Sequence, residues 1–267
     1  MGFVKTPEEI ARIQAALREP RFYSAQMLSV QYRTKPQIIR RVLPPGLEAF
    51  DEPLVTVMIG RWGRSNCVHA FEGGGLYVRA RRGQHVGDYC LAMPMSTDAA
   101  IIFGRELFGE PKKQATTTLE RRGNHIRGKC VRYGKPILAI DATMERKEDV
   151  AKGGFVNFHY KFLPSADGTG LQWDPALVMA TFETEVTLQE TGRAKVTLGN
   201  TIHDPLGEIE IVEILSASYV EGDIVSRCET LATIPAKQFL PYAYGKIDDW
   251  NALDNLNDRP WKKLRVA

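Results

Sequence analysis

The residues best suited to covalent chemistry are two adjacent lysines behind a proline, Glu110-Pro111-Lys112-Lys113, preceded by Phe103-Gly104-Arg105-Glu106-Leu107-Phe108-Gly109. A lysine amine adds to a ketone or aldehyde and, with loss of water, becomes an iminium that draws electrons from the adjacent carbon. Only the neutral amine is a nucleophile. A free lysine titrates near 10.4, so an imine-forming lysine must be brought down by roughly 3 to 4 pH units, about 4 to 5 kcal/mol. Apolar surroundings and a second cation are the two physical means. Pro111 fixes its own φ and biases Glu110 away from the α region, so the chain enters Lys112 stiffly. On an extended segment Lys112 and Lys113 project to opposite faces, and only one of them can be the nucleophile. By itself, a Lys-Lys pair is an ordinary surface feature.

Other constellations carry less. Cys67, His69 and Glu72 lie close together, but no further ligand follows at metal spacing, so no metal site is expected. Cys67, Cys90, Cys130 and Cys228 form no C-x-x-C pair and are expected to be reduced thiols in the cytoplasm. His85, His125, His159 and His203 are isolated, and none pairs with a serine or cysteine in a nucleophile motif. Gly73-Gly74-Gly75 lacks the strand-Gly-x-Gly-x-x-Gly-helix setting of a dinucleotide site and is expected to be a flexible turn near a pocket mouth. A net charge of +3, spread in short mixed clusters, predicts no nucleic-acid or membrane partner. Arg79-Ala80-Arg81-Arg82 beside Gly83 suits a solvated turn. No run of about 18 apolar residues occurs.

At 267 residues and 43% hydrophobic content the chain can bury a full core, and one domain is expected. Thr6-Pro7-Glu8-Glu9 starts a helix over about 6–19, with a capping box, proline at the first helical position, and Ile10, Ile13 and Leu17 on one face. After Pro20, short β-branched and aromatic segments end at Gly, Pro, Asn or Asp. These predict strands near 26–32, 54–61, 76–80, 88–95, 116–121, 125–132, 137–145, 155–163, 180–189, 194–198, 209–218 and 224–232. Glu190-Thr191-Gly192-Arg193 is expected to be a hairpin turn. Helices are expected at 35–42 and near 101–108. A less regular tail, about 235–267, carries Pro241, Tyr242, Trp250 and Trp261. The fold class is therefore α+β but mostly antiparallel β, a closed or partly closed barrel or double sheet with peripheral helices.

Gly104-Arg105-Glu106 followed by Pro111-Lys112-Lys113 resembles the G-R-E-x(4)-P-K-K signature of the acetoacetate decarboxylase-like superfamily. Tyr32-Arg33-Thr34, Arg41-Val42-Leu43-Pro44, Asp51-Glu52-Pro53-Leu54-Val55, Gly87-Asp88-Tyr89, Val212-Glu213-Ile214 and Ser216-Ala217-Ser218 are similar to family segments in the same order. Collinearity from about Pro20 to about Ala232 gives these short matches their weight. The resemblance implies a homo-oligomeric β-barrel acting on a small oxo acid or other carbonyl substrate, without organic cofactor or metal. Lys112 would be the Schiff-base lysine, Lys113 its cationic neighbour and Glu72 an active-site acid or base. Arg105 and Glu106 would be buried partners of one another. His69 could line the site.

Two departures bear on the substrate. The decarboxylases place a carboxylate-binding arginine at the position held here by Ala25, and a second glutamate at the position held by Met58. Both changes make the pocket less polar. Three functions follow: a decarboxylase of a β-oxo acid other than acetoacetate, an aldolase-dehydratase joining a 2-oxo acid such as pyruvate to an aldehyde, or a non-catalytic barrel binding an apolar ligand. Arg21, Arg61 or Arg79 could replace the lost anchor if it reached the pocket.

Overall fold

The chain enters on a helix specified by its own sequence. Thr6 Oγ1 accepts from the Glu9 amide, the Glu9 carboxylate accepts from the Thr6 amide, and Pro7 opens the helix. The computed structural model describes residues 2–150 and 152–248, so Trp250 and Trp261 lie outside the described residues. In chain order the elements are α1 (Pro7–Arg18), β1 (Arg21–Arg33), α2 (Pro36–Val42), β2 (Glu48–Ala49), β3 (Leu54–Ser65), β4 (Phe71–Arg82), β5 (His85–Met95) and α3 (Asp98–Phe103). Then follow β6 (Lys112–Gln114), β7 (Thr116–Arg122), β8 (His125–Arg132), β9 (Lys135–Lys147), β10 (Gly153–Lys161), β11 (Ala176–Leu198), β12 (Glu213–Thr233) and α4 (Ala236–Ala243). Ile10 and Ile13 of α1 stay exposed.

Seven strands close a barrel in the order β1-β3-β4-β5-β10-β11-β12, with β12 returning to β1. All pairs are antiparallel except β5 with β10. Closure leaves no free edge among these strands. The fold is thus the mostly antiparallel barrel with peripheral helices that the strand pattern predicts. Halfway along, β11 leaves β10 and pairs with β9, which continues into β8 and β7. This flap packs back on the barrel: a Cβ at Gly128 would meet Ile59 at 3.0 Å, and one at Gly74 would meet Cys130 Sγ at 2.7 Å.

Here the sequence reading needs correction. No hairpin forms at Glu190–Arg193, because β11 runs unbroken through it while changing partner from β10 to β9. Gly192 marks a shift in register instead of a turn, and a Cβ there would lie 2.1 Å from the Thr143 carbonyl oxygen. Likewise β12 is one strand where two were expected, and residues 209–211 precede it as loop. Gly73-Gly74-Gly75 lies inside β4 and is no turn. Among the described residues no helix is long and apolar enough to cross a membrane.

Buried side chains form two clusters. The larger lies between the barrel wall, the flap and α4, which contributes Phe239 and Ala243. The smaller, with Phe22, Trp62, Phe71, Met93, Met95 and Phe182, fills one end of the barrel.

Candidate active site

The segment between α3 and β6 builds the site. Thr97 caps α3, and the helix loosens into a π turn over Gly104–Phe108. Gly109 stops it in the left-handed conformation, φ 75°, where a Cβ would lie 2.5 Å from the Lys161 amide nitrogen. The chain then passes through Glu110-Pro111 into β6, parallel to β5 with Lys112 opposite Met93. Alternation along this extended piece separates the two lysines.

Lys112 points inward and is 7% exposed. Its Nζ lies 2.7 Å from Glu110 Oε2 and 5.9 Å from the centre of the Phe71 ring. Glu110, two residues earlier, shares its face. Both side chains pack on the Cα of Gly104, where a Cβ would come within 2.1 Å of Glu110 Oε2 and 2.5 Å of Lys112 Nζ. Arg105 does not pair with Glu106, which is exposed. Instead its Nη1 donates to the Lys112 carbonyl at 3.1 Å, fixing the backbone of the candidate nucleophile.

Around the pair is a cavity of about 70 Å³ with Phe22, Trp62, Phe71, Met93, Met95, Phe182 and Ile224 on its walls. It continues past Met27, Met58, Tyr77, Phe155 and Asn157 into a space of about 280 Å³ lined also by Ser29, Thr56, Thr184 and Gln189. Burial pushes the Tyr77 hydroxyl well above its ordinary range, so it stays protonated as a possible donor. His159 is 1% exposed with both ring nitrogens unpartnered among the described residues, and burial pushes it down to about 4, so it is neutral near pH 7. Burial also raises the Cys90 thiol. It is therefore no thiolate nucleophile.

The other expected site residues lie as follows. Lys113 Nζ donates to the His203 carbonyl at 2.9 Å and pairs with Asp204 and Asp248 at 3.3 and 3.0 Å. Arg132 bridges the same two carboxylates. The Lys113 charge is thus balanced on the far side of β6 from Lys112. Glu72 pairs with Arg61 at 2.9 Å, and Arg61 also donates to the Leu119 carbonyl. That places the Glu72 side chain toward the flap, opposite its neighbour Phe71, which faces Lys112. His69 is exposed and does not line the cavity. Met58 lines it. Ala25 is fully buried in the same apolar cluster, beside Trp62 in register and next to Ser24, whose φ is 52°. Arg21 pairs with Glu19 and Arg79 with Asp88, so neither these nor Arg61 line the cavity.

Sequence reasoning overlooked Glu110, Tyr77, Asn157 and His159. Glu110 was legible, since a residue two positions before Lys112 on an extended segment must share its face. The other three become neighbours only on barrel closure.

The sequence profile of the acetoacetate decarboxylase family matches residues 5–233. The chain belongs to the acetoacetate decarboxylase family. An acetoacetate decarboxylase of Burkholderia ambifaria is 27% identical over 212 residues, 76% of this chain and 84% of that protein. Solved structures agree in fold. Acetoacetate decarboxylase from Legionella pneumophila superposes with a TM-score of 0.73 at 22% identity, covering 80% of this chain and 87% of the other. The enduracididine biosynthesis enzyme MppR, solved with the condensation product of pyruvate and imidazole 4-carboxaldehyde, gives 0.68 at 18% identity, covering 80% and 89%. Family members of this kind are decarboxylases or lyases acting on small carbonyl compounds.

Proposed function

We propose that this protein is a Schiff-base carbon–carbon lyase in which Lys112 is the nucleophile and Glu110 its acid and base. The observation that carries this reading is a single amine at the closed end of an apolar cavity, 2.7 Å from a buried carboxylate. Lys112 must give up a proton to act as a nucleophile, and Glu110 is the carboxylate within hydrogen-bond reach to accept it. The neutral amine then attacks the substrate carbonyl. Glu110 returns the proton to the carbinolamine oxygen, which leaves as water, and a protonated iminium remains. With a β-oxo acid, the bond to carboxylate breaks, carbon dioxide leaves and the electron pair enters the iminium to give an enamine. Protonation at carbon and addition of water release the ketone and restore Lys112.

The substrate is a carbonyl compound with more carbon bulk than acetoacetate. Among the described residues no arginine lines the cavity, and Met27, Met58, Phe155 and Phe182 present adaptable apolar surface along its length. A charge-assisted hydrogen bond to a carboxylate contributes about 1.5 to 3 kcal/mol, so its absence weakens capture of a small anion by roughly ten- to a hundredfold. The same iminium would also serve condensation of a 2-oxo acid with an aldehyde, a reading favoured by the likeness to MppR with its condensation product.

Borohydride reduction in the presence of a panel of oxo acids, followed by peptide mass spectrometry, tests the proposal. Added mass should fall on the Lys112 peptide and vanish in Lys112→Ala, with larger β-oxo acids, or pyruvate with an aromatic aldehyde, outperforming acetoacetate. Trapping that persists in Lys112→Ala but disappears in Lys113→Ala would reverse the assignment of the pair.

A further inference from the structure

The cavity is apolar around Lys112, yet three uncharged polar side chains face its outer part. Asn157, 4% exposed, lines both the inner cavity and the larger space beyond it, as does Tyr77 at 6%. Thr184, also 6% exposed, lines the larger space. On β10, Phe155 stacks on Phe182 of the cavity wall with centroids 4.5 Å apart. Val156 points the other way, toward Gly87 of β5, where a Cβ would meet its Cγ1 at 2.8 Å. Alternation therefore turns Asn157 inward with Phe155, and Thr184 inward with Phe182. On β4 the Tyr77 ring lies over Gly75, where a Cβ would stand 2.4 Å from the hydroxyl oxygen, so Gly75 makes room for the phenol.

None of these three side chains has a hydrogen-bond partner among the described residues. Buried polar groups ordinarily find one. The His159 ring and Lys246 Nζ also lack a partner there, Lys246 lying over the face of Tyr89 at 4.7 Å and pushed down to about 8 by burial. Their nitrogens are sealed from solvent and can meet no ligand. The Asn157 side-chain amide and the Tyr77 and Thr184 hydroxyls are not sealed, and they open onto the cavity. Charge narrows what they can hold. Among the described residues no lysine, arginine or histidine lines the larger space, and its carboxylate, Asp88, is paired with Arg79 at 2.7 Å. A distal anion would find no counter-charge, and a distal cation only a carboxylate already engaged.

We propose that the substrate carries a hydroxyl group on the hydrocarbon part remote from its reacting carbonyl, held by Asn157 and Tyr77 where the two spaces meet, with Thr184 beyond. The proposal rests on Lys112 as the imine-forming residue and names the specificity of that same site. The side-chain amide and both protein hydroxyls each donate and accept, and a substrate hydroxyl does the same, so it answers the amide oxygen as well as the donors. An ether oxygen answers only the donors. A substrate with plain hydrocarbon there leaves buried polar groups without a partner, which is the basis on which such sites reject it.

Four ketones that differ at one position provide the test: benzylacetone and its para-hydroxy, para-methoxy and para-carboxy derivatives. Each is trapped with borohydride on the full chain, and the half-saturating concentration for the adduct on the Lys112 peptide is read. The para-hydroxy ketone should need at least tenfold less than each of the other three. Asn157→Leu should bring the para-hydroxy and parent ketones within about twofold of each other. Tyr77→Phe removes only a hydroxyl and should lower the preference about threefold or more, which keeps the test alive if Asn157→Leu fails to fold. Adducts formed equally well by the para-hydroxy and parent ketones, or by the para-hydroxy and para-methoxy ketones, would overturn the proposal and leave the imine intact. Tighter capture of the para-carboxy ketone, or a preference unchanged in both variants, would overturn it as well. No Lys112 adduct with any of the four would instead overturn the Schiff-base reading, and this proposal with it.

Discussion

Gly104→Ala should separate catalysis from stability. The added Cβ would stand 2.1 Å from Glu110 Oε2, 2.5 Å from Lys112 Nζ and 2.6 Å from Lys112 Cδ. Ordinary van der Waals contact needs about 3.5 Å, so the ends of both side chains must retreat by roughly 1 Å. Those ends are flexible, and the barrel strands need not move. The stability cost should therefore be modest, about 1 kcal/mol, typical of a single substitution. Catalysis is less forgiving, because a misplacement of about 1 Å at reacting groups costs on the order of a hundredfold, equivalent to roughly 2.7 kcal/mol of barrier. Thermal unfolding, kcat and the rate of borohydride trapping at Lys112 measure the two effects on one variant. A Gly104→Ala protein with kcat within threefold of wild type would show that the Lys112–Glu110 geometry is not critical. A variant that lost stability and activity in parallel would show that the glycine serves packing alone.

Glu110→Gln, which keeps size and removes the proton acceptor, should lower kcat by roughly 10² to 10⁴ while leaving any trapped adduct on Lys112; unchanged kcat would dismiss Glu110 as acid and base. His159 gives a pH signature. Its folded value of about 4 lies below its ordinary 6.5, so the neutral ring favours the fold. That contribution is complete above about 6.5, falls as pH drops toward 4, and amounts to about 3 kcal/mol. Denaturant titrations from pH 7 to 4 should show His159→Leu losing less stability than wild type, and parallel curves would refute the assignment. Lys246, at about 8 against an ordinary 10.5, works in the opposite range. Its charge costs the fold about 3 kcal/mol below pH 8, and the cost disappears as pH rises toward 10.5. Lys246→Met should be the more stable protein at pH 7 and lose that advantage by pH 10.5, as thermal melts at both values would reveal.

Where local rules govern, the sequence was legible. The α1 cap, the alternation that divides Lys112 from Lys113, and most strand positions follow from neighbours within a few residues. Where the structure departs from these local rules, distant partners are the reason. Glu190-Thr191-Gly192-Arg193 has the composition of a turn, yet β11 continues because β9 takes over where β10 ends. Glu72 has the position of a catalytic acid in the family pattern, yet the flap supplies Leu119 and orients Arg61 to hold its carboxylate outside the cavity.

Ala25 shows how the fold accommodates a small side chain at the position where the resemblance places an arginine. It lies at an irregularity of β1, beside Ser24 with φ 52° and opposite Trp62. Trp62 stacks on Phe71 with centroids 4.7 Å apart, and Phe22 meets Phe71 edge-on at 6.0 Å. These rings belong to the cavity that receives Lys112. An arginine at 25 would need the volume taken by that aromatic group, and the carboxylate that lines the cavity, Glu110, is already paired with Lys112. The alanine and the aromatic wall therefore belong together. They form an apolar wall beside Lys112 and Glu110, which on the proposed reading would hold a carbonyl substrate by its hydrocarbon part.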